Sequence, residues 1–212
     1  NWQRSQVAEI DGYLFSVWRK EMPKEEVSGS LSYDFESINV KSDGQTIDAD
    51  NPGYPEGWTI DVSSQGSKDM CTTKGDYKSG KQSIHFDAEG DYVLTPETPA
   101  PIHKISFWVK PSSMAEEEYN YSMVGVQVKN MDGEWEAIAN LPNYWMEKKG
   151  GYLTFEGDEL GHYVNQIKLE CVGSYGITFA IDDITLEYQT QPMPKALITD
   201  TLLTDTFCVV SG

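Results

Sequence analysis

The segment Phe179-Ala180-Ile181-Asp182-Asp183-Ile184-Thr185-Leu186 carries the strongest structural signal in this chain. Apolar residues occupy alternate positions up to Ile181, as in a half-buried β-strand. After the two aspartates, the apolar positions shift by one residue, to Ile184 and Leu186. A shift of this kind predicts a β-bulge, which re-aims side chains and is common at sheet edges. The segment is therefore predicted to be a strand that carries two carboxylates at a bulge.

Short strand patterns and turn clusters alternate along most of the chain. Alternation is clear over residues 105–109, 124–128 and 167–171, and turn clusters such as Met131-Asp132-Gly133 stand between such segments. No segment shows a convincing helical period of 3.6 residues. Many short strands separated by turns predict an all-β chain, folded as a sandwich of two antiparallel sheets.

The charge of the chain excludes several classes of partner. It contains 212 residues, of which 34 are acidic and 16 basic, and its formal net charge is −18. Nucleic acids and anionic lipid surfaces both attract basic proteins, so we expect neither as a partner. No apolar run approaches the ~20 residues of a membrane span, so we expect no membrane insertion. Calcium, neutral sugars and protein partners are compatible with an acidic surface.

The three cysteines do not point to a zinc site, because Cys71, Cys171 and Cys208 show no Cys-x-x-Cys spacing. At most one disulfide can form among them. Whether Cys71 pairs with Cys171 stays open at this point, and so does the redox compartment.

Five motifs follow one another in a recognisable order. They are Tyr33-Asp34-Phe35-Glu36, Pro55-Glu56-Gly57-Trp58, Ser79-Gly80-Lys81-Gln82-Ser83, Ile105-Ser106-Phe107-Trp108-Val109-Lys110 and Phe179-Ala180-Ile181-Asp182-Asp183-Ile184. In this order they resemble the jelly-roll modules of bacterial surface proteins, the cleaved-adhesin and MAM-like group. They are also similar to carbohydrate-binding modules of families 4, 9 and 22. The resemblance covers about residues 31–188 and implies an antiparallel jelly-roll β-sandwich in a secreted or cell-surface protein.

The two ends of the chain resemble a different module. Residues 1–12 resemble the end of a fibronectin type III domain, and residues 189–212 resemble a linker followed by the start of another. Residues 13–188 are assigned to the jelly roll, with Tyr13–Lys20 as an added strand. This order is similar to that of secreted proteins of gut Bacteroidetes and implies a monomer within a multi-domain chain.

The resemblance also implies a structural calcium ion. In the resembled families, carboxylates of the first strand and an aspartate of the last strand's Asp-Asp pair bind calcium. The matching positions here are Asp34, Glu36 and Asp182 or Asp183. Independently, Asp34 and Glu36 lie two residues apart and so share one face of a strand, and calcium takes 6–8 oxygen ligands in adaptable geometry. The alternative is that these acids are solvated edge charges or lie beside a lysine.

Sandwiches that bind sugars stack exposed aromatic rings on the sugar, while amide and acid side chains read its hydroxyl groups. Trp108 alternates with Phe107, so strand parity places it on the outer face unless another layer covers it. Tyr144 and Trp145 are expected in a loop at the rim of the sandwich. These three residues are the predicted ligand contacts, and the alternative for each is packing in the core or at an edge.

We find no sequence signal for catalysis, because the three histidines are scattered and none stands beside a nucleophile motif. We therefore predict that the chain is not an enzyme. The predicted function is a non-catalytic, calcium-stabilised recognition module that binds a glycan or a host-protein ligand outside the cell. The alternatives are a structural spacer without a ligand of its own, and an accessory domain of a larger secreted hydrolase.

Overall fold

The computed structural model describes a defined set of residues. They are the strand backbones at 2–10 and 13–20 and, with side chains, residues 27–40, 47–62, 69–114, 121–129, 133–161, 163–173 and 176–190. The chain divides into two compact units, one of which is Val27–Thr190.

The other unit contains a hairpin in which β1 (Trp2–Ile10) pairs antiparallel with β2 (Tyr13–Lys20). This differs from the predicted boundary at Tyr13: the sandwich unit begins at Val27, because the second strand finds its partner in the first. The fibronectin type III assignment of both ends stays a prediction, and residues 191–212 lie outside the described residues.

The strands of the larger unit form two antiparallel sheets. In chain order the strands are β3 (Ser28–Tyr33), β4 (Thr59–Asp61), β5 (Met70–Cys71), β6 (Ser83–Phe86), β7 (Tyr92–Leu94), β8 (Ile102–Pro111), β9 (Met123–Lys129), β10 (Trp135–Pro142), β11 (Gly151–Glu156), β12 (Ile167–Cys171) and β13 (Phe179–Gln189). The first sheet has the order β11-β8-β13-β6-β5, with β3 also paired to β13, and the second has the order β10-β9-β12-β7-β4. The chain crosses repeatedly between the sheets, which confirms the predicted antiparallel jelly-roll β-sandwich.

Helical structure is limited to single turns in the part of the chain that the structure describes. Two short 3₁₀ helices occur there, Asn143–Trp145 after β10 and Gly157–Leu160 after β11. No helix among the described residues is long and apolar enough to cross a membrane.

The core lies between the two sheets and follows the alternation of the sequence. Phe107 of β8 and Phe179 of β13 are fully buried in the first sheet, and Val126 of β9 and Leu169 of β12 are fully buried in the second. Their sequence neighbours point to the outer faces, because successive side chains of a strand alternate between its two sides. The predicted alternation over residues 105–109, 124–128 and 167–171 is confirmed.

The predicted bulge in β13 is also confirmed. The pairing of β13 with β8 shifts register between Asp182 and Thr185, and Asp183 has a left-handed backbone with φ of 47°. The bulge separates two partners on the other side of β13: residues 179–181 pair with β6, and residues 184–189 pair with β3. The bulge therefore keeps the apolar side chains facing the core on both sides of the Asp-Asp pair.

Candidate functional site

The carboxylate of Asp182 accepts hydrogen bonds from a distant loop. The side chain is fully buried, and its Oδ2 accepts the backbone N–H groups of Lys78, at 2.7 Å, and Ser79, at 3.1 Å. Its Oδ1 accepts the N–H of Asp183 at 2.8 Å. Burial raises the pKa of Asp182 to about 6, because it disfavours the charged form, and the three N–H groups oppose that shift.

Asp183 reaches the same loop and a neighbouring strand. Its Oδ1 accepts the hydroxyl of Ser79 at 2.6 Å, and its Oδ2 accepts the hydroxyl of Tyr152 at 2.7 Å. Burial, together with the bond to this carboxylate, raises the pKa of Tyr152 to about 12. The two aspartates of the bulge thus hold one loop and one exposed tyrosine.

Glu36 holds the far end of this loop. Its Oε1 accepts the backbone N–H groups of Lys81, at 2.7 Å, and Gln82, at 2.9 Å. The close approach of Glu36 requires a glycine at position 80, between Ser79 and Lys81. A Cβ on Gly80, whose φ is +57°, would lie 2.1 Å from Cδ of Glu36. Asp34 is exposed, and its Oδ1 accepts the N–H of Glu36 at 3.2 Å.

The four predicted calcium ligands do not fit a single metal site. Among the described residues, no group of three or more histidine, cysteine, aspartate or glutamate side chains is placed to hold a metal ion. Instead, Oε1 of Glu36 and both carboxylate oxygens of Asp182 and of Asp183 accept hydrogen bonds from N–H and O–H donors. Calcium binding therefore stays a prediction, and the set that includes Asp34 does not form the shared site that we expected.

Trp108 lies on the predicted face, but its predicted exposure is wrong. It stands opposite Tyr152 and Asp182 in the sheet, on the side away from the core, yet it is only 4% exposed. The turn before β11 covers it: a Cβ on Gly150 would lie 2.1 Å from Cζ2 of Trp108. A sugar could reach this ring only if the turn moved.

Tyr144 and Trp145 lie where the sequence predicted, in a loop at the rim. Both belong to the 3₁₀ helix Asn143–Trp145, and Trp145 is 69% exposed. The ring of Tyr144 makes edge contacts with Trp145, at 6.0 Å between centroids, and with Tyr121, at 5.6 Å. We call Tyr121, Tyr144 and Trp145 the rim cluster.

Buried polar contacts fix the backbone beneath the rim cluster. Asn143 is fully buried; its N–H donates to the carbonyl of Ser122 at 3.0 Å, and its Nδ2 donates to the carbonyl of Ser113 at 3.2 Å. The N–H of Met146 closes the helical turn on the carbonyl of Asn143 at 3.1 Å. The exposed indole of Trp145 therefore extends from an anchored turn.

A second polar and aromatic surface lies on the outer face of the second sheet, where no ligand contact was predicted. The Nζ of Lys168 lies 5.6 Å from the ring centroid of Tyr92, 5.8 Å from that of Trp135, and 3.0 Å from Oε2 of Glu170. Gln127 donates to the same Oε2 at 2.5 Å. Lys168 and Glu170 alternate with the buried residues of β12, and this parity could have revealed the surface. Because Lys168 lies over both rings, it competes with any ligand that would stack on those faces.

A cleft of about 340 Å³ opens near one end of this second sheet. Its lining includes the segment 98–101, Lys129 of β9 and Tyr163. The Nζ of Lys129 already donates to Oε1 of Glu97 at 2.8 Å and to Oε1 of Gln166 at 3.3 Å. The charge at this cleft is therefore already paired within the protein.

Neither protein-family models nor curated protein sequences match this chain. Several solved structures resemble it. The K1 cleaved adhesin domain of Lys-gingipain from Porphyromonas gingivalis W83 has a TM-score of 0.49 and 13% sequence identity, over 74% of this chain and 97% of that domain. The K3 cleaved adhesin domain of the same protein has a TM-score of 0.47 and 12% identity, over 76% and 99%. The carbohydrate-binding module TmCBM61, solved in complex with β-1,4-galactotriose, has a TM-score of 0.44 and 12% identity, over 65% and 90%.

Cleaved-adhesin domains and carbohydrate-binding modules, the two kinds of module that the sequence motifs resemble, are thus both among the solved structures similar to this chain. At these identities the similarity concerns the fold.

Proposed function

We propose that residues 27–190 form a non-catalytic recognition module of a secreted or cell-surface bacterial protein, and that it binds a neutral glycan on the rim cluster. The observation that carries this proposal is the exposure of Trp145, whose ring is 69% exposed although its backbone lies in an anchored turn. Covering a large aromatic ring that is exposed on a fixed turn is favourable, because it removes apolar surface from water.

The geometry suits a sugar ring. Pyranoses present C–H groups that pack on an aromatic face, and a fixed platform reduces the entropy that is lost on binding. Tyr144 contacts Trp145 edge to face, which orients the indole. Glu147, Lys148 and Lys149 follow Trp145 by two to four residues and are exposed, so charged groups that can hydrogen-bond hydroxyls lie near the platform in the chain.

A glycan suits this surface better than a host protein does. Protein interfaces bury about 800 Å² per partner and place aromatic anchors together near their centre. The exposed large hydrophobic residues among the described residues are Trp135, Trp145 and Tyr152, which lie on three separate elements. Trp145 is the largely exposed ring of the rim cluster, and one exposed ring is enough for sugar stacking. A neutral glycan is also compatible with the net charge of −18, which would repel an acidic one.

The proposal includes no catalytic step. His85 and His103 lie on different strands, β6 and β8. The buried carboxylate of Asp182 and its neighbour Asp183 are engaged with donors of the loop and of Tyr152.

The experiment is a glycan array followed by titration calorimetry on the best ligand, with wild type, Trp145→Ala and the matched control Trp135→Ala. We expect Trp145→Ala to weaken binding at least about tenfold, because a central aromatic anchor contributes about 2 kcal/mol or more. Trp135→Ala should bind as wild type does. Loss of affinity in Trp135→Ala alone would place the ligand on the second sheet. If wild type binds no glycan, the spacer alternative is favoured.

A further inference from the structure

We propose that Glu36, Asp182 and Asp183 form a carboxylate clasp that fixes the loop Asp76–Gln82 by hydrogen bonds, so that this edge of the sandwich folds without a metal ion. The clasp joins three separate parts of the chain: the segment after β3, the loop before β6, and the bulge of β13.

The loop presents N–H and O–H donors to the three carboxylates, whereas a cation would need oxygen acceptors directed at it. The loop directs the N–H groups of Lys78, Ser79, Lys81 and Gln82 and the hydroxyl of Ser79 at the three carboxylates, at 2.6–3.1 Å. A calcium site needs oxygens that converge on the ion, commonly including loop carbonyls. Consecutive N–H groups form a concavity that attracts anions. The carboxylates themselves are the anions held here.

Lysine side chains supply positive charge at the same place. Lys110 of β8 donates to Oδ1 of Asp76 at 2.8 Å and also to the carbonyl of Gly75. The Nζ of Lys78 lies 5.7 Å from the ring centroid of Tyr152, whose hydroxyl is bound by Asp183. Lys110 thus neutralises Asp76 at the start of the loop, and Lys78 lies over the ring whose hydroxyl group donates to Asp183.

The test measures thermal unfolding of the full chain in calcium and in EDTA, together with calorimetric calcium titration of wild type. We expect the midpoint of wild type to be equal in both media and the titration to show no binding. Glu36→Ala should lower the midpoint by roughly 4–10 °C in both media, because two backbone N–H groups lose their acceptor. Glu56→Ala, which removes an exposed glutamate, is the matched control and should change nothing.

Two results would overturn the proposal. A wild-type midpoint that rises with calcium, by an amount that Glu36→Ala abolishes, would show that the acids hold an ion. A Glu36→Ala midpoint equal to wild type in both media would show that the clasp does not stabilise the fold. If Glu36→Ala does not fold, Ser79→Ala removes a single hydroxyl donor and should lower the midpoint equally with and without calcium, while the wild-type titration still tests metal binding.

Discussion

Replacing Trp108 and Trp145 separately by alanine distinguishes a packing role from a ligand role, because one tryptophan is buried and the other is exposed. Trp108 is 4% exposed beneath the turn at Gly150, whereas Trp145 is 69% exposed at the rim. Strand and loop patterns alone made both of them candidate ligand contacts. The structure gives the first a packing role, and we propose a ligand role for the second.

The magnitudes follow from the buried area. A tryptophan side chain hides up to about 250 Å² when fully buried, so Trp108 keeps roughly 240 Å² from water, equivalent to about 6 kcal/mol at about 25 cal/mol per Å². Area that the unfolded chain already hides, and the Cβ that alanine retains, reduce this to about 3–5 kcal/mol. Trp145 hides only about 75 Å², so the same corrections leave about 1 kcal/mol.

Urea unfolding followed by fluorescence or circular dichroism gives both free energies of unfolding, and thermal melting gives the midpoints. We expect Trp108→Ala to lower the midpoint by about 6–20 °C and Trp145→Ala by about 2–4 °C. Two equal, small shifts would show that Trp108 is not packed as described. Two equal, large shifts would remove the premise that Trp145 is a free platform for a sugar.

Three further outcomes are expected. Gly80→Ala should destabilise the fold by about 1–3 kcal/mol more than Gly90→Ala in urea unfolding: both glycines have positive φ, but only at position 80 does a Cβ collide, with Glu36. The Cys171 thiol is buried and its pKa is raised to about 12, so at pH 8 it should resist iodoacetamide until urea unfolds the chain, as peptide mass spectrometry would show. Burial raises the pKa of Asp69 above its ordinary value of 3.8, so the folded state binds the carboxyl proton of Asp69 more tightly than the unfolded chain does. The contribution of Asp69 to the free energy of unfolding therefore falls as the pH rises above 3.8. Asp69→Asn should flatten that slope at pH values above about 4, and an unchanged slope in urea unfolding would contradict the assignment.

The strands, the sandwich and the bulge could be predicted because each has a local signature. Alternation with a period of two follows from strand geometry, and the shift after Asp182 and Asp183 follows from one extra residue in a strand, so neighbouring residues carry the information. The loop position of Tyr144 and Trp145 was predictable in the same way. The state of Cys171 was not: it carries a free thiol, and its sequence spacing left a disulfide open.

Tertiary structure alone decided what lies over the outer face of the first sheet. Trp108 is covered by a turn about forty residues away in the chain, and the carboxylates of Asp182 and Asp183 are met by donors about a hundred residues away. A strand pattern tells which side of a sheet a residue faces but not what packs there. Whether an outer-face side chain is buried depends on the loops that pack over it from distant parts of the chain. Such long-range contacts produce no periodic pattern in the sequence. For the same reason acids that match a metal-binding pattern can be acceptors for backbone N–H groups once the loop is in place.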